Sequence, residues 1–251
     1  MTELLGTALP PGSPFAAPQA TVDAIVVAAM DEEIAPFEQR AEHLSHHRQA
    51  GAARSVLATV DGRRLLLVRS GIGAVNAVTA TTLAVHAVRA TVVISAGSAG
   101  GLGRAVRVGD VVVGTEHAFA GADATAFGYT LGQIPGMPAT FPASAALLDR
   151  AQNRPGVLVG AMLSGDSFVD GRTVEHYRGA FPDALTADME STAIAQTCYN
   201  FDVPFLAVRG VSDLCGPDAG DDFRLAVDDV AALSADVVLD LIAAPVAART
   251  P

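Results

Sequence analysis

Hydrophobic and polar positions alternate between two rhythms along this chain. Short apolar runs of strand length are followed by longer stretches with helical spacing, almost to the end. Ala24–Met30 reads as a buried strand, and Asp31–Phe37 opens a helix whose acidic first turn suits the positive end of the helix dipole. Ser55–Val60 and Arg64–Arg69 flank Asp61-Gly62, a two-residue hairpin signal. Gly71–Asn76 leads into an Ala/Val/Thr/Leu helix ending near Arg89, and Val92–Ala96 is again strand-like. Val108–Gly114 mixes turn and strand, and Glu116–Thr140 carries aromatic residues without a clear period. Ala143–Gln152 reads as helix, Val157–Leu163 as strand and Ser164–Gly171 as loop. A short strand over Ala184–Asp188, a helix over Glu190–Phe201 and a strand over Phe205–Val211 follow, the last ending at Ser212-Asp213. An apolar-faced helix spans Phe223–Ala244. Alternation of this kind predicts a mixed or largely parallel sheet covered by helices. The expected fold is therefore α/β, a single three-layer α/β/α domain with a mixed central sheet.

Composition narrows the classes. A chain of 251 residues suits one α/β domain, and 50% hydrophobic against 17% charged residues supplies a full core. A net charge of -11 opposes nucleic-acid binding, which needs a basic face to neutralise phosphates. No apolar run reaches the ~20 residues of a membrane-spanning helix, so no membrane partner is expected. Two cysteines, Cys198 and Cys215, form no CxxC pair, which fits free thiols in a reducing, cytoplasmic compartment. Met1–Ala20 holds four prolines and lacks the basic and apolar regions of a signal peptide. It is expected to be a disordered or loosely packed extension, with one domain over residues 21–251.

In open α/β sheets, ligands collect beyond strand ends, where loops meet helix N-termini. Glu33, Ser98, Glu190 and Asp213 fall at such places. Each alone also has a structural explanation: dipole partner for the two glutamates, turn hydroxyl for Ser98, and turn or cap for Asp213. Gly71-Ile-Gly73 departs from a dinucleotide loop, because the third glycine position holds Asn76. In Gly97-Ser-Ala-Gly-Gly101 serine directly follows the first glycine, which excludes a GxSxG nucleophile elbow. His43, His46 and His47 cluster in a polar stretch and are expected on a solvated helix end, with no metal bound. No cofactor is expected.

The ordered series is more specific than its members. Ala29-Met-Asp-Glu-Glu33, Ser70-Gly-Ile-Gly73, Gly97-Ser-Ala-Gly-Gly101 and Val108-Gly-Asp-Val-Val-Val113 are followed by Ser164-Gly-Asp-Ser-Phe168, Asp188-Met-Glu190 and Val208-Arg-Gly-Val-Ser-Asp213. Over about Val22–Ala244 the chain closely resembles the bacterial 5'-methylthioadenosine/S-adenosylhomocysteine nucleosidases of the nucleoside phosphorylase/hydrolase superfamily. That resemblance implies a nucleoside phosphorylase-like fold and an N-glycosyl hydrolase, without cofactor, that releases adenine from small adenine nucleosides. It also implies a place in methionine salvage and nucleoside catabolism.

Residue by residue, the resemblance makes Glu33 the base that activates water, with Ser98 and Arg209 holding that water or its base. Asp213 becomes the acid at N7 of adenine, with Ser212 beside it. Phe168 stacks on the purine, the backbone of Val169 reads its Watson–Crick edge, and Met189 and Glu190 hold the ribose. Phe127 and Pro135 match residues that reach across a homodimer interface to the 5'-substituent pocket. Arg209 needs an acidic partner, and Glu33 is the expected one. Two positions depart from the family pattern: Cys215 stands where a small residue is common, and Ala74 where a lysine often follows Gly-Ile-Gly.

Three other functions compete with this reading. A purine nucleoside phosphorylase would want arginines around its nucleophile, yet Ser95 stands where hexameric phosphorylases place one, and Asp31–Glu33 repels phosphate. An aminodeoxyfutalosine hydrolase would use the same adenosine half. A non-catalytic nucleoside-binding protein would have no need of both Glu33 and Asp213, and both are present.

Overall fold

A computed structural model describes residues 20–244; the expected extension lies outside these apart from Ala20, which sits in a strand. The first half of the chain runs β1 (Ala20–Val22), β2 (Ala24–Ala28), α1 (Asp31–Gln39), β3 (Ala41–Ala50), β4 (Ala53–Val60), β5 (Arg63–Arg69), α2 (Ala74–Ala87), β6 (Val88–Ala90), β7 (Val93–Gly101) and β8 (Val111–Phe119). The second half runs β9 (Phe141–Pro142), α3 (Ala145–Gln152), β10 (Val157–Ser164), α4 (Val174–Ala180), β11 (Ala184–Asp188), α5 (Ser191–Asn200), β12 (Phe205–Asp213) and α6 (Ala219–Ile242).

The main sheet has the order β11-β10-β8-β12-β7-β2-β5-β4-β3 and is mixed: β2, β5, β7 and β12 run parallel, and β12 meets β8 antiparallel. Strand β11 also pairs antiparallel with β7, through Thr186 with Gly101 and Ala187 with Gly100. Strands β7, β12, β8, β10 and β11 therefore close on themselves, a curl the linear pattern did not foretell. Alternating side chains separate two cores. Ala24, Val26 and Ala28 pack with Ile34 and Phe37 of α1, Leu147 of α3 and Val238 of α6. Ile25 and Val27 pack on the other face with Ala77, Ala80 and Ala84 of α2 and Ile194 and Cys198 of α5. This is the expected three-layer arrangement. Fully burying an aliphatic side chain contributes roughly 1.5–3 kcal/mol, so both faces hold the helices firmly.

Local chemistry places the ends of these elements. Asp61 and Gly62 both take positive φ (49° and 72°), as a two-residue turn between β4 and β5 requires. Gly73, φ 96°, starts α2. Several boundaries differ from the sequence reading: β7 continues to Gly101 and α6 begins already at Ala219. The three histidines lie on β3, an exposed edge strand paired with β4, rather than on a helix end; a run of solvated polar residues carries no period to separate the two. Helix α2 stops at Ala87, because Val88–Ala90 pairs with β1 instead. Strand β8 begins only at Val111 and runs into the aperiodic stretch as far as Phe119. Among the described residues no helix is long and apolar enough to cross a membrane, and no cluster of His, Cys, Asp or Glu is arranged to hold a metal ion.

Candidate active site

A cavity of about 370 Å³ opens where β2, β7, β11 and β12 end. Glu33, Ser98, Phe168, Val169, Met189, Glu190, Ser212 and Asp213 all line it, so the folding of distant segments gathers eight of the expected site residues. Ile72, of the Ser70-Gly-Ile-Gly73 segment, lines it as well, together with Phe223 and Arg224, which nothing in the local sequence marked for this.

Glu33 is buried in the first turn of α1. Its Oε2 accepts the backbone N–H groups of Ala29 (2.9 Å) and Met30 (3.2 Å). Its Oε1 accepts both the backbone N–H and the hydroxyl of Ser98, each at 2.8 Å. The carboxylate is thus fixed by four donors and aimed at the β7 end of the cavity.

Asp213 ends β12, two residues further along β7 than Ser98, opposite Gly100. Its Oδ1 accepts the N–H of Cys215 at 2.8 Å, and its Oδ2 lies 3.0 Å from the Ser212 hydroxyl. That hydroxyl is also 3.3 Å from the carbonyl of Ala99, and its single hydrogen serves one acceptor at a time. When Asp213 is protonated on Oδ2, it donates to Ser212, which then donates to Ala99. Burial pushes the Asp213 carboxyl up from its ordinary pKa, against the opposing pull of the Cys215 N–H and the Ser212 hydroxyl. Cys215 takes a left-handed φ of 56° and its thiol packs against Gly100 and Asp213.

Glu33 borders a buried charge cluster. Arg209 is about 1% exposed, and its Nε stands 3.0 Å from Asp188 Oδ2, its Nη2 3.7 Å from Glu190 Oε2 and its Nη1 4.0 Å from Glu33 Oε1. The expected partner, Glu33, is thus the farthest of three carboxylates, and Asp188 is the nearest. The sequence gives no sign of the role of Asp188, although it stands in the Asp-Met-Glu segment; an acid at a strand end shows its partner only once β11 and β12 are assembled. Ser95 and Ser191 supply further hydroxyls to the guanidinium, at 2.6 and 3.0 Å from Nη2. Burial raises Glu190 to about 7; Arg209 opposes that rise, and the like charges of Asp188 and Glu33 add to it. For Asp188 burial works the same way, but Arg209 and the hydroxyls of Ser164 and Ser191 outweigh it and hold the carboxyl below its usual value.

Comparison with known proteins bears on this arrangement. The phosphorylase superfamily family model matches residues 23–243. A 5'-methylthioadenosine/S-adenosylhomocysteine nucleosidase of Geobacillus kaustophilus is 39% identical over 226 residues, covering 87% of this chain and 96% of the relative. The chain belongs to that nucleosidase family. The Neisseria meningitidis family member, solved in complex with methylthio-immucillin-A, superposes with a TM-score of 0.81 at 37% identity, over 87% of this chain and 97% of the other. A futalosine hydrolase of Helicobacter pylori is also similar in structure, with a TM-score of 0.79 at 25% identity, over 88% and 98% of the two chains.

Three of the residues that the nucleosidase resemblance singled out lie outside the cavity lining. Arg209 stands behind the lining, within the charge cluster. Phe127 ends a short 3-10 turn and is 83% exposed, and Pro135 is exposed further along the same segment. Within one chain neither meets the cavity.

Proposed function

We infer that this protein hydrolyses the N-glycosidic bond of 5'-methylthioadenosine and S-adenosylhomocysteine, releasing adenine and the thio-substituted ribose. The observation that carries this reading is the pair of buried carboxylates, Glu33 and Asp213, facing one cavity from either end of Ser98–Gly100. Adenine leaves poorly as an anion, so N7 needs a proton donor. Asp213 is held in an environment that favours its protonated form. Glu33, fixed by four donors, takes the proton of the attacking water, and the Ser98 hydroxyl helps to place that water. Departure of the base leaves an oxocarbenium-like ribose, and Glu190 beneath it supplies both a hydroxyl acceptor and negative charge. Met189 lies under the sugar, Phe168 stacks on the purine, the Val169 backbone meets its edge, and Ser212 holds the Asp213 carboxyl beside the base. Arg209 keeps the three carboxylates together without neutralising them.

The futalosine hydrolase likeness supports a second substrate, aminodeoxyfutalosine, which shares the adenosine half. Phosphorolysis is disfavoured, because Ser95 is already engaged by Arg209 and the cavity presents carboxylates around the expected nucleophile. The decisive measurement is adenine release from a panel of these nucleosides, with and without phosphate. Release that requires phosphate, or none from any of them, would end this reading.

The exposed Phe127 and Pro135 support a homodimer in which each chain completes its partner's 5'-substituent pocket. Val75 and Val78 of α2, 78% and 40% exposed, add apolar surface suited to burial between two copies. Sedimentation at the concentrations used for assay tests this, and a fully active monomer contradicts it. Two free, buried cysteines suit a cytoplasmic place, where the products would enter methionine salvage.

A further inference from the structure

We propose that Asp188 is a positioning residue for the reaction: one carboxylate oxygen holds the backbone that carries Glu190, and the other keeps Arg209 from closing on Glu190 and Glu33. The proposal rests on the functional reading above for its meaning in catalysis, but its geometry stands apart from that reading.

Asp188 ends β11, and its side chain is 3% exposed. Its Oδ1 accepts from the Ser164 hydroxyl at 2.6 Å, from the Glu190 N–H at 3.0 Å and from the Ser191 N–H at 2.9 Å. Two of these donors belong to the unpaired start of α5, so this oxygen caps the helix and fixes the main chain from which the Glu190 side chain extends. Its Oδ2 accepts from the Ser191 hydroxyl and pairs with Arg209 Nε at 3.0 Å. One oxygen thus fixes position and the other fixes charge.

The second role follows from the distances. Three carboxylates surround one guanidinium, and each charge-assisted contact shortens only as far as the others allow. Asp188 takes the close contact, leaving Glu190 at 3.7 Å and Glu33 at 4.0 Å. A carboxylate in a tight salt bridge is a poor acceptor for a ribose hydroxyl and a weak base for water. Holding Arg209 on Asp188 leaves both working groups only loosely paired. The groups that face Glu190 are Arg209 of β12, Asp188 of β11, Glu33 of α1 and the Gly73 N–H at the start of α2, which donates to its Oε1 at 2.9 Å. Asp166 accepts from the neighbouring Ala74 N–H, and His117 of β8 senses the charges of Asp188 and Arg209 from across the sheet.

Asp188→Asn separates the two roles, because the remaining oxygen still accepts from the α5 start while the negative charge is gone. Arg209 then acts more fully on Glu190, which ionises at lower pH than its value of about 7. With 5'-methylthioadenosine as substrate, the acid limb of kcat/KM, which reports the free enzyme, moves to lower pH by about one pH unit. Asp188→Glu keeps the charge and leaves the limb in place even if the cap is disturbed. Ser164→Ala removes one donor to Asp188 Oδ1 and the acceptor of the Thr192 N–H but keeps the Asp188 charge; it lowers the melting temperature and leaves the limb unmoved. An Asp188→Asn limb that stays put, or an Asp188→Glu limb that moves equally, overturns the proposal.

A readout independent of turnover keeps this test distinct from that of the reaction. A carboxyl raised to about 7 in the folded chain stabilises fully at acid pH, and that contribution is lost as pH rises from the ordinary carboxylate range to about 7. The difference in melting temperature between the protein and its Glu190→Gln variant, followed from pH 5 to pH 8, isolates this loss. It shrinks in the Asp188→Asn background if the Asp188 charge sets Glu190, directly and by holding Arg209, and is unchanged if Asp188 is only a cap. Failure of the protein to release adenine would sink the functional reading while leaving this comparison decisive for Asp188.

Discussion

A Cβ atom on Gly97 would lie 2.5 Å from the carboxyl carbon of Glu33 and 2.8 Å from Nη1 of Arg209, so the strand backbone and the two charged groups occupy adjoining space. Gly97 also takes φ 146°, which side-chain-bearing residues rarely adopt. Gly97→Ala should therefore displace the Glu33 carboxylate and lower kcat by at least the ~10²-fold that a misplaced general base costs. Kinetics beside a melting curve checks this, and a folded variant with normal kcat would remove Gly97 from the account.

Gly100 stands in the same relation to the acid side, with its would-be Cβ 2.5 Å from the Cys215 sulfur and 3.2 Å from Asp213 Oδ1. The packing that makes Cys215 tight also makes it unreactive. Burial pushes its thiol up to about 12, and burial likewise raises Cys198. At pH 8 a disulfide-exchange reagent should modify neither thiol in the native protein and both after unfolding in guanidinium. Rapid native modification of Cys215 would mean that the purine side of the cavity opens more than its packing allows.

What the sequence disclosed follows from how far each signal reaches along the chain. The Asp61-Gly62 hairpin was legible because its turn chemistry is contained in two residues. The strand over Phe205–Val211 was legible because it is apolar but for Arg209, as a strand buried along its whole length is expected to be. The ends of β3 and β8 were not, since a polar edge strand and a strand entering a loop give no period. Eight expected residues do line the cavity: Glu33, Ser98, Glu190 and Asp213 stood out at strand ends, each with a structural explanation of its own, and the ordered resemblance supplied Phe168, Val169, Met189 and Ser212. Arg209 was expected to pair with Glu33, and the nearer Asp188 was overlooked, because partner choice in a buried cluster depends on how strands 21 residues apart in sequence are registered. The antiparallel pairing of β11 with β7, which closes the curl beneath the cavity, is likewise a long-range fact with no local signature.

Arg209 balances three buried carboxylates, so its removal has a consequence for stability as well as for turnover. Stripping a buried pair of one partner commonly costs about 3–5 kcal/mol. Arg209→Ala should lower stability within that range, most severely at alkaline pH, where Glu190 is also ionised. In the fraction that folds, kcat should fall more than KM rises, because the side chain lies behind the cavity rather than in its lining. Denaturant unfolding at pH 6 and pH 8 with parallel kinetics tests both parts, and unchanged stability would show the cluster to be less buried than its geometry implies.

The two acids give the sharpest test. Burial raises Asp213, so its protonated form persists above the ordinary carboxylate range, and activity that needs the proton is lost on the alkaline side as Asp213 ionises. The same shift makes Asp213 contribute stability at acid pH that disappears as pH rises through its folded value, a loss that Asp213→Asn should abolish. In catalysis Asp213→Asn keeps the shape and a hydrogen-bond donor but has no proton to transfer, and Glu33→Gln keeps the contacts to Ser98 without a base. Each should slow single-turnover adenine release by about 10²–10⁴-fold. Because both groups act in one transition state, the double variant should fall well short of the product of the two losses. The rates are measured on chains whose melting curves show them folded. Near-normal release by one variant takes that residue out of the mechanism, and near-normal release by both means that the cavity between Glu33 and Asp213 is not where the glycosidic bond is cut.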